Sequence, residues 1–402
     1  MKILRVIPSM DPATGGPCQG IRNLTPALRA LGAETEVVCL DDPAAGFFAT
    51  QKDDFVIHAL GRPSTPWQYN KRLLPWLEAN LPRFDIVVVH GLWLYHGFAV
   101  RKAIKTLKAA NADRVPKWFM MPHGMLDPYF QTDGGRKLKA YRNKVYWSLI
   151  ESRNIHQADG ILFTCAEEMR LAAHTFGHYA PKQTVDIGYG IQPPPDVPPE
   201  TAADVLATHT IPSDDPYILF LSRIHEKKGV DMLLSAYADI VRTASPGDHL
   251  PNLVIAGPVE QPALGEAIRT TLADNPALSR KVFLTGMVTG VHKWGLLQRA
   301  SAFALPSHQE NFGIAVVEAL ACHVPVLISD KVNIWPEISE AGAGLVAGDD
   351  AAGTRTLLDR WIAMPDTEKN SRRTAAYDCF HQRFDARAAA RRQVEFLNTQ
   401  IA

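Results

Sequence analysis

Short apolar runs rich in β-branched residues recur along the whole chain, and longer amphipathic segments separate them. Runs of this kind predict strands buried on both faces, and the segments between them predict the helical crossovers that join parallel strands. The pattern therefore predicts an α/β protein built from Rossmann-like, doubly wound parallel sheets. Strands are expected at residues 3–7, 35–40, 85–90, 118–121, 160–164, 217–222, 252–257, 281–286, 302–306 and 324–329.

The sequence GIQPPPDVPPE at 190–200 divides this pattern into two halves. Proline fixes φ and removes a backbone donor, so the segment predicts a semi-rigid linker. We expect an N-terminal domain at 1–195, a C-terminal domain at 196–377 and a last helix from about 378 to 402. Two such sheets joined by a hinge are expected to face each other across a cleft, with ligands bound at their carboxyl edges.

The bulk composition excludes several classes of protein. No apolar run approaches the roughly 18–20 residues that a membrane span needs, and the first run, at 3–7, is too short for a secretory signal. Five cysteines without a C-x-x-C pair argue against a disulfide framework or a structural zinc site. A cytoplasmic protein is therefore expected, and a net charge of zero gives poor support for a nucleic-acid partner.

The charge is nevertheless unevenly distributed. Residues 99–144 hold eleven basic side chains against three acidic ones, and Tyr141, Tyr146 and Trp147 are interleaved with them or follow directly. Two interpretations stay open for this region. It is either a surface that docks on the anionic inner face of a membrane or the solvated face of a basic helix.

Two candidate sites in the N-terminal half follow predicted strands. Gly15 and Gly16 precede a helical segment, where backbone N–H groups and the helix dipole favour binding of an anion. An ordinary flexible turn between strand and helix is the alternative. His123 follows the strand at 118–121 directly, and His90 ends the strand at 85–90. Each histidine either contacts a polar substrate or satisfies a backbone group.

In the C-terminal half, Arg223 and Lys228 follow the first strand beyond the linker, within LSRIHEKKG. Two cations at the carboxyl end of a strand favour a diphosphate, which arginine binds as a fork and lysine as a point charge. A solvated basic turn is the alternative.

The stretch HQENFGIAVVEALAC at 308–322 places two glutamates eight residues apart around a glycine. Gly313 favours a helix that begins at Ile314, which leaves Glu310 in the loop after the strand at 302–306.

The same stretch then offers both donors and acceptors. The N–H groups of 311–314, which include those of Asn311 and Phe312, form an open helix N-terminus, and Glu318 lies one turn into the helix. Two acceptors together with free donors suit a polyhydroxylated ligand. For Glu318 the alternative is a solvent-facing helix residue.

No D-x-D, no H-E-x-x-H and no cluster with metal-ligand spacing occurs in the sequence. A glycosyl or phosphoryl transfer here is therefore expected to rely on Arg, Lys and helix dipoles, with no divalent metal and no other cofactor.

Together these motifs resemble those of glycosyltransferase family 4, whose members are retaining nucleotide-sugar enzymes of the GT-B fold. The most specific ones are S-R-x-x-x-x-K-G, V-I-A-G-P and L-P-S-x-x-E-x-F-G-x-x-x-x-E-A in the C-terminal half. The resemblance implies that Glu310 and the amides of Phe312 and Gly313 hold hydroxyls of the donor sugar. It also implies that Glu318 holds the ribose.

By the same resemblance, Arg223 and Lys228 stabilise the departing nucleoside diphosphate, which Gly15 and Gly16 approach from the other domain. His123 contacts the donor sugar, and the last helix crosses back onto the N-terminal domain.

Two segments depart from the family pattern. In place of the family's usual glycine-rich loop, this chain has DKVNIWPEI at 330–338, in which Glu337 keeps the acidic position. In place of the usual N-G-V turn it has YGI at 189–191. The first segment therefore lacks the glycines through which the family pattern implies contacts to the donor phosphate.

The family implies transfer of a hexose from a UDP- or GDP-linked sugar to a hydroxyl, without a metal and with the anomeric configuration kept. The N-terminal motifs GGP, GLW and PHGMLDP resemble a branch found with bacterial polysaccharide assembly, which implies a glycan or lipid-linked acceptor. A GT-B-type sugar-nucleotide epimerase and a non-catalytic sugar-nucleotide or glycan-binding module are the alternatives.

Overall fold

The computed structural model describes residues 1–132, 137–245 and 247–401. The chain forms two compact units: the first consists of Met1–Gln192 and Ala386–Ala402, and the second of Pro193–Asp385. The expected start of the returning helix at about 378 is wrong, because residues 378–385 lie with the second unit. The chain returns to the first unit only at Ala386.

The first unit contains a seven-stranded sheet in the order β3-β2-β1-β4-β5-β6-β7, and all its paired strands are parallel. Its strands are β1 (Lys2–Val6), β2 (Glu34–Cys39), β3 (Val56–Ala59), β4 (Ile86–His90), β5 (Lys117–Met121), β6 (Gly160–Phe163) and β7 (Thr184–Asp186). Its helices are α1 (Gly16–Ala30), α2 (Phe47–Gln51), α3 (Leu73–Asn80), α4 (Tyr95–Ala109), α5 (Tyr129–Thr132), α6 (Lys137–Tyr146), α7 (Ser152–Gln157), α8 (Ala166–Ala172) and the returning α18 (Ala386–Ile401), with 3₁₀ turns at Pro12–Thr14 and Leu81–Arg83 and a π-helical turn at Trp147–Glu151.

Both faces of this sheet are buried. Leu4 and Val6 of β1 enter one apolar cluster, whereas Ile3 enters a second cluster that includes Ala389 and Ala390 of the returning helix. Alternate residues of a strand point to opposite faces, so the nearly continuous apolar strands follow from burial on both sides.

The second unit contains a six-stranded parallel sheet in the order β10-β9-β8-β11-β12-β13. Its strands are β8 (Tyr217–Leu221), β9 (Asn252–Ala256), β10 (Val282–Gly286), β11 (Ala302–Leu305), β12 (Val326–Ser329) and β13 (Gly344–Ala347). Its helices are α9 (Pro199–Thr208), α10 (Val230–Thr243), α11 (Pro262–Ala273), α12 (Pro276–Ser279), α13 (Gly290–Arg299), α14 (Ile314–Ala321), α15 (Trp335–Ala341), α16 (Ala351–Ile362) and α17 (Asp366–Cys379), with a 3₁₀ turn at Glu226–Lys228 and a π-helical turn at Phe380–Phe384.

Local sequence signals mark several of these helix starts. Asp350 precedes α16 and its carboxylate accepts the N–H of Gly353 at 2.7 Å, as an N-cap residue does. Proline stands in the first turn of α9, α11, α12 and α15, where its missing N–H costs no intrahelical bond.

The two doubly wound parallel sheets confirm the predicted fold class, and each strand expected from the sequence is present within two residues of its predicted ends. Three further strands, β3, β7 and β13, were not expected. Each has three or four residues and lies at the edge of its sheet, where half-exposed side chains break up the apolar run that marks a central strand.

The start of the returning helix packs closely against the first unit at Gly190. A Cβ atom at this position would lie 2.6 Å from the Cα of Ala386 and 2.8 Å from a methyl group of Leu24. The backbone N–H of Ala386 donates to the carbonyl of Ile191 at 3.0 Å, so the chain cannot easily move away. This contact explains why a glycine stands here.

We expect Gly190→Ala to lower the free energy of unfolding by about 1–3 kcal/mol, because the added methyl group overpacks the start of α18. Chemical denaturation measures the change. Gly177→Ala is the matched control, since a Cβ at Gly177 meets no atom within 4 Å and its φ is not in the left-handed region. Equal stability of the two variants would contradict the proposed packing constraint.

Candidate functional site

The strand order of the second unit defines where its loops diverge. The order runs outward from β8 through β9 and β10 on one side and through β11, β12 and β13 on the other. In open parallel sheets, ligands bind at such a switch point, beyond the carboxyl ends of the strands. The loop after β8 carries Arg223 and Lys228, and the loop after β11 carries Glu310 and Gly313. The fold thus brings the candidate residues of this unit to one region.

Direct hydrogen bonds hold these two loops together. The carbonyl of Lys227 accepts the Ser307 hydroxyl at 2.8 Å and the backbone N–H of His308 at 2.9 Å. Gly229 has φ +68°, and a Cβ there would lie 2.1 Å from the carbonyl oxygen of Pro306. The close approach of the loops therefore requires a glycine after Lys228.

Lys228 and Glu310 form an ion pair across the two loops. The lysine side chain is only 9% exposed and the glutamate side chain 23%. The backbone of Glu310 is fixed in turn, because its N–H donates to the carbonyl of Lys331 and its carbonyl accepts the N–H of Asn333, both at 2.9 Å. The carboxylate and the ammonium are thus held at a defined place at the edge of the sheet.

Helix α14 begins at Ile314, as the sequence predicts, and Gly313 is its N-cap residue. Gly313 has φ +74° and ψ +66°, a left-handed conformation that glycine adopts without strain. Of the preceding two residues, Phe312 is buried against Phe384, and the side-chain amide oxygen of Asn311 accepts a long hydrogen bond of 3.5 Å from Asn333. Asn311 is therefore only half-buried, whereas the Phe312 side chain is part of the interior of the unit.

Glu318 lies inside the unit and pairs with Lys293 of α13 at 2.6 Å. Its side chain is 12% exposed, so the alternative of a solvent-facing glutamate is wrong. Burial raises the pKa of the Glu318 carboxyl, and the ammonium of Lys293 opposes this rise. Lys293 was not predicted from the sequence, because 25 residues separate it from Glu318 and nothing in the helix GVHKWGLLQR distinguishes it from a surface lysine.

Arg223 is more exposed than Lys228 and does not share its partner. The guanidinium forms an ion pair with Glu260 at 2.6 Å, and its side chain is 56% exposed. Backbone hydrogen bonds connect the loops that carry the two residues, since the N–H of Ile224 donates to the carbonyl of Pro258 at 2.8 Å. Glu260 is a second member of the site that the sequence pattern did not reveal.

In the first unit the corresponding switch point lies between β1 and β4. Gly15, with φ +92°, is the N-cap residue of α1, and Gly16 is its first residue. The Tyr189 hydroxyl donates to the carbonyl of Gly16, and a Cβ at Gly20 would lie 2.4 Å from the Tyr189 ring. The YGI segment therefore packs on the first turns of α1.

Two histidines lie next to each other at the same edge of this sheet. His90 is the last residue of β4, and His123, with φ +54°, follows β5. His90 Nδ1 and His123 Nε2 are 2.9 Å apart. Burial lowers the pKa of His90 well below its usual range and that of His123 to about 3, so both rings are neutral at neutral pH.

No three His, Cys, Asp or Glu side chains are grouped to hold a metal ion within the part of the chain that the structure describes. None of the helices in that part is both long and apolar enough to cross a membrane.

Comparison with known proteins agrees with this architecture. Residues 15–190 match the family model described as "Glycosyl transferase 4-like domain", and residues 204–377 match the one described as "Glycosyl transferases group 1". Two parallel-sheet units of this kind define the GT-B class. The chain belongs to the family 4 type of GT-B glycosyltransferases.

The individual relatives are distant. D-inositol 3-phosphate glycosyltransferase of Nocardia farcinica is 27% identical over 206 residues, which are 50% of this chain and 44% of that protein. The chain thus spans about half the length of the curated relatives it matches.

Among solved structures, sucrose-phosphate synthase from Thermosynechococcus elongatus is similar over 100% of this chain and 99% of its own, with a TM-score of 0.70 and 19% identity. The Anabaena protein Alr3699/HepE, solved in complex with UDP, is similar over 99% of this chain and 100% of its own, with a TM-score of 0.73 and 15% identity. At these identities the likeness shows the fold.

Lys293→Met should destabilise the protein by about 1–3 kcal/mol at pH 7, because it leaves the Glu318 carboxylate buried without its cation. The carboxyl pKa, already raised, rises further in this variant, so folding then favours the protonated form. Stability relative to the wild type is therefore regained as the pH falls from 7 toward the ordinary carboxyl pKa. Urea denaturation at pH 7 and pH 5 measures the difference.

The double variant Lys293→Met/Glu318→Gln is the control, because it removes both charges and should recover most of the loss at pH 7. A deficit that is the same at pH 5 and pH 7 would contradict the ion-pair interpretation.

Proposed function

We propose that the chain is a retaining, metal-independent glycosyltransferase, which moves a hexose from a UDP- or GDP-linked sugar to a hydroxyl acceptor. The observation that carries the proposal is the Lys228–Glu310 ion pair at the switch point of the second unit, next to the N-terminus of α14. An acceptor for sugar hydroxyls and a cation for phosphate are held together there. Membership of family 4 and the UDP-bound Anabaena neighbour support it.

In this proposal the cations act on the leaving diphosphate. Lys228 supplies a nearly buried positive charge, and its attraction to a phosphate is stronger there than in bulk water. Arg223 is exposed and paired only with an exposed glutamate, so its fork-shaped guanidinium can exchange Glu260 for phosphate oxygens at small cost. In the first unit, Gly15 and Gly16 at the start of α1 are proposed to bind an anionic group of the donor through backbone N–H groups.

The carboxylates act on hydroxyl groups of the donor. Glu310, with the N–H groups of Phe312, Gly313 and Ile314 at the start of α14, is proposed to bind the hexose. Asn311, which is half-buried and directly precedes Phe312, is proposed to bind the donor as well. Glu318 is proposed to accept the ribose hydroxyls, and Lys293 favours its ionised, accepting form despite burial.

The transfer itself needs no protein nucleophile. The bond between the anomeric carbon and the phosphate oxygen breaks with development of an oxocarbenium-like sugar, and the acceptor oxygen bonds to that carbon on the same face. The acceptor proton passes to the departing phosphate oxygen. The protein stabilises the negative charge that develops on the diphosphate and positions the two reactants. Both effects lower the activation barrier, and the electrostatic one is largest where water is excluded.

Substitution of Arg223 by alanine should lower kcat/KM about 100- to 1,000-fold, as expected when one charge that stabilises the transition state is removed. Stability should change by less than about 1 kcal/mol, because the Arg223–Glu260 pair is solvent-exposed. Thermal shift with UDP-, GDP- and ADP-sugars in the presence of a chelator first identifies the donor. Release of nucleoside diphosphate in the presence of candidate acceptors then measures turnover.

Arg269→Ala is the matched control, since Arg269 has the same 56% exposure and pairs with Glu266 at 2.7 Å in the same unit. Wild-type turnover in the Arg223 variant would overturn the assignment. Release of a free epimer without acceptor would favour the epimerase alternative, and donor binding without turnover would favour a binding module.

We further propose that the acceptor is a glycan or lipid-linked intermediate of bacterial surface polysaccharide, presented at a membrane. A specific observation favours the membrane. Leu138, Tyr141 and Val145, spaced by three and four residues on α6, and Leu149 in the following π-helical turn are between 43% and 87% exposed. This spacing places apolar side chains on one face of a helix.

The charges around this apolar row complement an anionic surface. Lys139, Arg142 and Lys144 are exposed on α6, and the only acidic residue of 137–157, Glu151, is buried. Residues 133–136 of the predicted 99–144 region lie outside the described residues. An exposed apolar row with cations on either side is typical of helices that lie in the membrane interface.

Leu138→Ser/Tyr141→Ser should weaken binding to phosphatidylglycerol vesicles at least about tenfold, because two large apolar side chains no longer enter the interface. Vesicle sedimentation at several salt concentrations measures binding, which should also fall as salt rises. Met287→Ser, at a 70% exposed apolar residue of the second unit, should bind like the wild type. Absence of wild-type binding at moderate salt would favour the solvated-helix interpretation.

A further inference from the structure

Four polar side chains form a buried chain of hydrogen bonds in the first unit. Gln393 of α18 accepts a hydrogen bond from the Arg5 guanidinium of β1 at 3.2 Å. A second nitrogen of that guanidinium lies 3.3 Å from His90 Nε2, and His90 Nδ1 lies 2.9 Å from His123 Nε2. Gln393, Arg5 and His90 are each at most 3% exposed. His123, at the end of the chain of hydrogen bonds, is half-buried.

The position of Arg5 is unusual for a buried cation. Among the described residues no carboxylate pairs with it, and its Nε has no hydrogen-bond partner. Burial lowers the pKa of Arg5 to about 10, which still leaves it charged at neutral pH. An unpaired charge in the interior costs several kcal/mol, so stability alone does not account for it.

The chemistry of the chain determines its proton positions. A guanidinium only donates hydrogen bonds, so His90 Nε2 must accept, and the neutral His90 ring then carries its proton on Nδ1. That Nδ1–H donates to His123 Nε2, which therefore has no proton. The neutral His123 ring must then carry its own proton on Nδ1.

We propose that Arg5 and His90 are positioning residues, which lock His123 in the Nδ1–H tautomer so that it presents a neutral hydrogen-bond donor to a ligand oxygen. Within the described part of the chain, His123 Nδ1 has no hydrogen-bond partner, and the residue is only half-buried. The ligand oxygen is a sugar hydroxyl, an identification that rests on the proposed function. The tautomer itself depends only on the hydrogen-bond chain.

The proposal also gives the returning helix a role beyond packing. Gln393 has no charge, and its amide oxygen orients the guanidinium without neutralising it. A carboxylate in its place would draw Arg5 into an ion pair and weaken its donation to His90. The last helix therefore supplies an uncharged hydrogen-bond acceptor, Gln393, which holds Arg5 in place.

The first test is a spectroscopic one on the intact protein. Protonated and unprotonated imidazole nitrogens differ strongly in ¹⁵N chemical shift, and spectra of ¹⁵N-histidine-labelled protein should show His90 and His123 both protonated at Nδ1. His123→Asn assigns the His123 signals by their loss. An Nε2–H form of His123 in the wild type would overturn the proposal, whether or not the protein transfers sugars.

The second test changes the hydrogen-bond chain at Arg5. Arg5→Met removes the donor to His90, so His90 and His123 should populate both tautomers. The variant should also lower kcat/KM about three- to tenfold, which is the effect expected from the loss of one hydrogen bond. Arg5→Lys keeps a donor and should restore the Nδ1–H signals at least in part. Unchanged tautomers in Arg5→Met would contradict the inferred control.

A third comparison needs no change at Arg5 and stays informative if that variant does not fold. The amide nitrogen of asparagine takes the place of Nδ1, and that of glutamine the place of Nε2. His123→Asn should therefore retain about three- to tenfold more kcat/KM than His123→Gln. Equal or reversed activities would overturn the assigned donor atom. A protein with the expected tautomers but no transferase activity would refute the proposed function, whereas the inferred control of the His123 tautomer would still hold.

Discussion

The pairing of β8 with β11 is the contact on which the candidate site of the second unit depends. These two strands are neighbours in the sheet but are about 80 residues apart in sequence, and their loops leave the carboxyl edge in different directions. The Lys227 carbonyl accepts hydrogen bonds from both Ser307 and His308, which connects the two loops directly. The Lys228–Glu310 pair depends on that arrangement, because each of its members lies on one of the two loops.

Charge balance distinguishes the two units. In the second unit each candidate cation has a carboxylate, as Lys228 has Glu310, Lys293 has Glu318 and Arg223 has Glu260. Such pairs keep buried charges ionised and leave them ready to exchange partners with a charged ligand. In the first unit Arg5 is held by an amide and an imidazole, so its charge acts through neighbouring hydrogen bonds.

Much of the fold could be predicted from the sequence because burial on both faces produces long apolar runs. This signal predicts the central strands, and Gly313 predicts the start of α14, because glycine adopts the left-handed conformation of a helix-capping residue without strain. Edge strands such as β3 and β13 could not be found, since they are short and partly exposed. Lys293 and Glu260 were missed because each becomes part of the site only through a distant segment.

The sequence by itself determined the class of fold, the division near the proline-rich linker and the residues that carry charge after each strand, because these depend on local pattern and chain stiffness. Only the tertiary structure decided which charges meet. Partner choice depends on strand order and loop contacts, which join residues far apart in sequence. The chain from Gln393 through Arg5 to His123 shows this most clearly, since it connects the last helix with the first strand.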